Sequence, residues 1–182
     1  IYFLNRNVPS GFIPNEDQGM IYAIIQTPPG SSLERTNNVA EQLQKMTEDM
    51  DDVKSVSALA GYEILTEGTG SNSGTCLINL KPWNERKHSS LEIIEELEKK
   101  SKSLKGAQIE FFQPPAVPGY GAAGGFELRL LDKDGTNDYK KMEEVNKNFV
   151  EELNKRPELS SVFSFYSASF SQYMMRIDND LA

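Results

Sequence analysis

The chain has 182 residues, 38% of them hydrophobic, with 27 acidic and 19 basic side chains and a net charge of −8. That length suits one domain or two small ones. The acidic balance argues against a nucleic-acid surface, which needs clustered Lys and Arg, and against docking on anionic lipid.

The opening IYFLNR has four apolar residues, short of the ~20 that a spanning helix needs. Ile1, Tyr2, Phe3 and Leu4, with Arg6 just beyond, match either the last turn of a membrane helix at its interface or an ordinary apolar N-terminus. Residues 7–19 form an irregular lead-in, because Pro9, Gly11, Pro14 and Gly19 forbid a regular helix. Glu16 and Asp17 are adjacent, point apart and read as turn residues.

Residues 20–28, MIYAIIQTP, are dense in β-branched and aromatic side chains and predict a buried strand. Ser31 and Glu34 have capping-box spacing at the start of a helix. Its apolar stripe is Leu33, Val39, Ala40, Leu43, Met46 and Met50, and Asp51-Asp52 ends it. Residues 53–60 predict a second strand and 75–80 a third. Between them lies Gly61 to Gly74, GYEILTEGTGSNSG. A hairpin connection usually takes about 2–5 residues, and this stretch is roughly three times that. It therefore reads as a long, mobile, Gly-rich loop that presents Tyr62, Ile64 and Leu65.

One histidine, His88, follows the charged run 84–87 and reads as exposed. Ser89 and Glu92 repeat the capping-box spacing, ahead of a helix carrying Leu91, Ile94, Leu97 and Leu104 with Ile93 beside them. Gly106 stops it, and residues 107–112 predict a fourth strand. The order β-α-β-β-α-β is the ferredoxin-like, split βαβ arrangement of an α+β fold.

Residues 114–125 are a Pro/Gly-rich joint between residues 20–113 and residues 126–182. Gly119, Gly121 and Gly124 spell G-x-G-x-x-G there. No strand precedes them and no helix follows, so the match to a dinucleotide fingerprint is accidental. Beyond the joint, residues 126–131 alternate as a strand with Phe126, Leu128 and Leu130 on one side. A helix follows over 137–154, then strands over 162–166 and 172–177. This second unit, βαββ, repeats the first half of the first one. An unfinished unit leaves its sheet face partly uncovered, so the chain reads as a fragment of a longer protein.

No catalytic constellation is present: no serine sits in a nucleophile elbow, and no base stands beside a nucleophile. The one cysteine, Cys76, excludes an intramolecular disulfide, and its place in an apolar run makes it a small buried hydrophobe. No His, Cys, Asp and Glu spacing resembles a zinc or iron site. The methionines fall on core stripes or point to opposite strand faces. The chain is therefore expected to need no cofactor and to be no enzyme.

Three stretches carry a family likeness: IPNEDQG at 13–19, TPPGSSLERT at 27–36 and LKPWNER at 80–86. In this order and spacing they resemble the second periplasmic loop of resistance-nodulation-division (RND) efflux pumps, closest to the hydrophobe/amphiphile-exporting branch. The resemblance implies a periplasmic portion of a proton-driven inner-membrane transporter, with residues 20–113 as one porter subdomain and residues 126–182 as the first half of its neighbour. It implies a homotrimeric parent working with a periplasmic adaptor and an outer-membrane channel. It also implies binding of hydrophobic or amphiphilic compounds between the subdomains. The family's switch loop would fall on Gly61 to Gly70, with Gly61, Tyr62, Leu65, Gly68 and Gly70 in it. Substrate-contacting positions would be Ile24, Leu59, Tyr62, Ile64, Leu77, Phe126, Leu128 and Leu130. Ser57 stands where the family often has an aromatic residue, and Ser167 where it often has a basic one. The pocket should then be more aliphatic than its relatives and less suited to stacking flat aromatic compounds. The competing reading is a free-standing ferredoxin-like domain that binds a small ligand or regulates a partner.

Overall fold

The computed structural model describes residues 16–116, 126–133, 135–159 and 161–169. The membrane-helix end expected at Ile1 to Leu4, the glycines Gly119, Gly121 and Gly124, and the strand expected over 172–177 lie outside the described residues.

The first unit has the expected ferredoxin-like order. It runs β1 (Met20–Gln26), α1 (Leu33–Glu48), β2 (Val53–Glu63), β3 (Gly68–Leu80), α2 (Ser90–Ser101) and β4 (Gln108–Phe112). The four strands form one antiparallel sheet in the order β2-β3-β1-β4. Both helices pack on one face. Ile21, Ala23 and Ile25 of β1 and Cys76 and Ile78 of β3 meet Val39, Ala40 and Leu43 of α1 and Ile93 and Leu97 of α2 there. Period-2 alternation puts these strand residues on the helix side. Burial pushes the Cys76 thiol up to about 12, as suits a hydrophobe with no reactive role.

Three local expectations are corrected. The long connection is a tight one: β2 and β3 pair down to Glu63 and Gly68, so only residues 64–67 form the turn. Thr75 holds the approach, its Oγ1 donating to the Tyr62 carbonyl at 2.9 Å and accepting from the Ile64 N–H at 3.2 Å. A bulge lies between Ala60 and Tyr62, where Gly61 takes φ +90. The left-handed backbone there needs glycine, so the residue that suggested looseness is the one that lets the ladder continue.

The N-cap of α1 is Ser32, whose hydroxyl accepts from the Arg35 N–H, so Ser31 does not start a capping box. Ser31 is buried instead, and its carbonyl accepts from Ser71 Oγ at 2.8 Å. The buried stripe of α2 centres on Ile93 and Leu97, while Leu91 is exposed. The capping box of Ser89 and Glu92 is present as expected.

Beyond the joint, α3 (Tyr139–Asn154) forms, with Asp138 as its N-cap. Residues 126–131 and 162–166 have no regular secondary structure and pair with no strand among the described residues. A strand persists only where a neighbour satisfies its backbone groups. Here the 162–164 stretch is tied to the helix instead. Asn154 exchanges two hydrogen bonds with the backbone of Val162, at 2.7 and 2.8 Å, and Asn146 donates to Ser164 Oγ at 2.9 Å. No residue of α3 is buried, and Tyr139, Val145 and Phe149 on its apolar face are exposed.

Candidate functional site

Cross-strand partners share a sheet face. On the face away from α1 and α2 two rows therefore run across the sheet. One is Leu59, Thr75, Ile24 and Glu110; the other is Ser57, Leu77, Tyr22 and Phe112. The register thus brings three of the expected positions, Ile24, Leu59 and Leu77, onto one face. Ile24 is 0% exposed although neither α1 nor α2 covers it. Tyr22 and Phe112 meet edge to face with ring centroids 5.8 Å apart. Tyr62, Ile64 and Leu65 are half-buried at the hairpin end.

Phe126, Leu128 and Leu130 do not join this face as a strand. They lie outside any strand, at 58%, 58% and 36% exposure. The part of the second unit that approaches the first is residues 161–167. Two clefts form between that segment and the β4 side of the sheet. One, of about 280 Å³, is lined by Gln26, Thr27, Pro28 and Pro29, by Gly106, Ala107 and Gln108, and by Ser164 to Ser167. Ser167 is on this lining, with Phe165 and Tyr166 beside it, and no charged side chain is among them. The other, of about 380 Å³, is lined by Glu98, Ser101, Lys102, Leu104, Ala107, Ile109, Glu110 and Ser161.

The ends of this site are fixed by polar contacts. Thr27 and Thr36 share a hydrogen bond at 2.9 Å; Thr36 Oγ1 also lies 2.6 Å from the Ser71 carbonyl, and the Thr27 N–H donates to the Asn72 carbonyl at 2.8 Å. Both threonines are buried. This clasp ties the TPPGSSLERT stretch to the base of the β2–β3 hairpin. Beyond it the strands stay paired to Glu63 and Gly68, and residues 64–67 form the turn.

A second anchor lies at the opposite end of the sheet. Arg86 Nη1 meets Asp17 Oδ2 at 2.8 Å, and its guanidinium sits 4.0 Å from the Trp83 ring. Asp17 also accepts from the backbone N–H of Ser90 and of Gly19. Burial would raise the Asp17 carboxyl, but Arg86 and those N–H donors outweigh it and bring it to about 2. Beside it, Asp52 Oδ2 lies 2.6 Å from His88 Nδ1 and Asp52 Oδ1 accepts from the Lys87 N–H. His88 is therefore exposed but not alone. Burial raises and His88 and Lys87 lower the Asp52 carboxyl, for a net fall; the bond to Asp52 raises His88.

Among the described residues no group of three or more His, Cys, Asp and Glu is placed to hold a metal ion. None of the described helices is long and apolar enough to cross a membrane. Sequence reasoning missed Asp17 as an anchor, residues 161–166 as a cleft wall beside Ser167, and Glu110. The last was accessible: in QIEFF the alternation puts Glu110 on the same face as Phe112.

The fold and the cleft can now be set against known proteins. The AcrB/AcrD/AcrF family model matches residues 1–182. The multidrug/solvent efflux pump membrane transporter MepB of Pseudomonas putida is 34% identical over 184 residues, covering 99% of this chain and 17% of the relative. The multidrug resistance protein MdtF of Escherichia coli strain K12 is 36% identical over 129 residues, covering 68% of this chain and 12% of the relative. The solvent-resistant pump membrane transporter SrpB of Pseudomonas putida is 29% identical over 185 residues, covering 99% and 17%. The chain belongs to the AcrB/AcrD/AcrF family of resistance-nodulation-division efflux proteins. It spans 17% of the length of MepB.

Proposed function

We propose that this chain is a substrate-binding part of the periplasmic porter region of a proton-driven multidrug efflux transporter, taking hydrophobic or amphiphilic compounds into the cleft between its two units. Residues 20–113 act as one porter subdomain and residues 126–182 as the first part of its neighbour. The observation that carries this reading is the 280 Å³ cleft with walls from both units. It is uncharged and carries Pro28, Pro29, Phe165 and Tyr166 among hydrogen-bonding side chains. Mostly apolar walls with a few convergent polar groups are the usual form of a small-molecule site.

Nothing is done to the substrate chemically; it is bound, moved and released. The clasp of Thr27, Thr36, Ser71 and Asn72 holds the hairpin base, while the tip carrying Gly61, Tyr62, Ile64, Leu65, Gly68 and Gly70 swings over the apolar sheet face of Ile24, Leu59 and Leu77. Phe126, Leu128 and Leu130 supply further apolar contact as the units close. The parent is a homotrimer in the inner membrane that hands substrate to a periplasmic adaptor and an outer-membrane channel. The relatives' names, which speak of multidrug and solvent efflux, support this reading.

The test is a titration of the chain with a neutral solvatochromic dye such as Nile red, repeated on Tyr166→Ala, Tyr62→Ala and Phe126→Ala. Saturable binding weakened by Tyr166→Ala and by at least one of the other two is expected. Absence of saturable binding, or binding indifferent to all three, overturns the cleft assignment.

A further inference from the structure

The entry to the first unit and its exit meet at one point. At the entry, Asp17 Oδ2 accepts from the Ser90 N–H at 2.7 Å, and the Gly19 carbonyl accepts from the Leu80 N–H at 2.8 Å. Gln18, between them in sequence, reaches the exit: its Nε2 donates to the Pro115 carbonyl at 3.0 Å, across 97 positions. At the exit, Gln113 Nε2 donates to Ser90 Oγ. Ser90, 1% exposed, is thus held by the entry through its backbone and by the exit through its side chain. We propose that residues 17–19, Ser90 and Gln113 form a coupling node. In it Gln18 and Gln113 are positioning residues: they fix how the first unit carries the second, so that displacement of the entry reaches the second unit. This concerns how the units are held, whatever the clefts take.

Proline makes side-chain donors necessary at the exit. β4 ends at Phe112, and Pro114 and Pro115 have no backbone N–H with which to continue its ladder. Their φ is fixed, and each restricts the residue before it, so residues 113–115 are a stiff piece whose direction is set where it leaves the sheet. Pro114 is buried and Gln113 half-buried, whereas Ala116 just beyond is exposed. Two amide side chains therefore pin the chain at the start of the joint. The rest of the second unit is loosely seated. No residue of α3 is buried, and both clefts separate residues 161–167 from the β4 side of the sheet. The entry side is firm by contrast. Asp17 is bound to the buried Arg86, and breaking such a pair is costly. A shift of residues 17–19 that keeps this pair carries Ser90 with it, and through Ser90 and Gln18 it carries Gln113 and Pro115.

The experiment measures amide nitrogen relaxation on the full 182-residue chain and compares the tumbling of α1 with that of α3. One correlation time should describe both helices in the native chain. Gln18→Ala and Gln113→Ala should each shorten it for α3 alone, and together by about 1.5-fold, while α1 keeps its value. Gln18 is exposed, so its replacement leaves the core untouched. Ser90→Ala should match Gln113→Ala, and combining the two should add nothing. Gln18→Lys keeps a donor for the Pro115 carbonyl and should hold α3 as the native chain does. A merely local role would shift resonances around Ser90 and leave α3 tumbling with α1 in every variant. That result, or two separate correlation times already present in the native chain, overturns the node.

Discussion

Asp17 and Arg86 meet at 2.8 Å although 69 positions separate them, and the contact joins two of the three stretches that carry the family likeness. NEDQG leads into β1 and KPWNER leads into α2, so the pair locks the chain's entry to the sheet onto the start of the second helix. The Arg86 side chain is 1% exposed; its Nη1 is hydrogen-bonded, while Nε and Nη2 are buried without a partner among the described residues. Removing Asp17 therefore strands a buried charge. Asp17→Asn should cost about 3 kcal/mol in urea unfolding at pH 7. A loss below the experimental error would contradict the anchor.

The same carboxylate sets an acid dependence. Its folded value of about 2 lies below the ordinary 3.8, so its stabilisation is complete above 3.8 and is lost as pH falls through 2. That component is about 2 kcal/mol. Unfolding free energies measured between pH 5 and pH 2 should fall more steeply in the native chain than in Asp17→Asn. Parallel curves would assign the acid loss to other groups.

His88 should titrate above its ordinary 6.5, because the bond to Asp52 favours the imidazolium. Its contribution is full below 6.5 and fades as pH rises through the folded value. The Asp52 part is full above 3.8 and fades as pH falls. The contact thus stabilises most between those limits. Proton NMR of the single histidine follows it directly, and Asp52→Asn should lower the midpoint. An unmoved midpoint would show that the contact carries no charge.

Thr36→Val keeps the shape of a buried side chain and removes the hydroxyl that reaches Ser71 and Thr27. The expected cost is about 1–3 kcal/mol, since the Ser71 carbonyl and the Thr27 hydroxyl lose a partner. Hydrogen exchange should accelerate at Asn72 and Ser73 before it does at Cys76, deeper in the β1–β3 ladder. Thr36→Ser should retain the protection. Uniform acceleration would mean that the residue supports the whole sheet and not the hairpin base.

Gly61→Ala meets two obstacles: φ is +90, and the new Cβ would lie 3.0 Å from Leu33 Cδ1. A loss of about 1–3 kcal/mol is expected. In a double-mutant cycle, Leu33→Ala should return only the part due to the clash, leaving the backbone strain. Full rescue would make the contact, not the conformation, the reason for glycine.

The first unit was legible because its signals are local. Apolar alternation in MIYAIIQ and the capping box at Ser89 each act within one element, and the order of elements then determines the sheet. The hairpin was misread because its stability comes from residues far away in sequence. Thr27 and Thr36 hold Asn72 and Ser71 across 45 and 35 positions, and nothing in GTGSNSG advertises that. Asp17 was read as a turn residue, which its bond to Gly19 bears out, but its partner Arg86 cannot be inferred from composition. Ile24, Leu59 and Leu77 share a face because β pairing forces it. The 126–131 stretch has strand periodicity but no strand beside it among the described residues, and periodicity alone cannot supply a ladder partner.

The central claim, that both units build one binding cleft, is tested most directly by amide chemical-shift mapping of the chain titrated with Nile red. Gln26 and Thr27, Ala107 and Gln108, and Ser164 to Ser167 should shift together with one dissociation constant. Shifts confined to one of these groups, or lying elsewhere on the chain, would contradict the account.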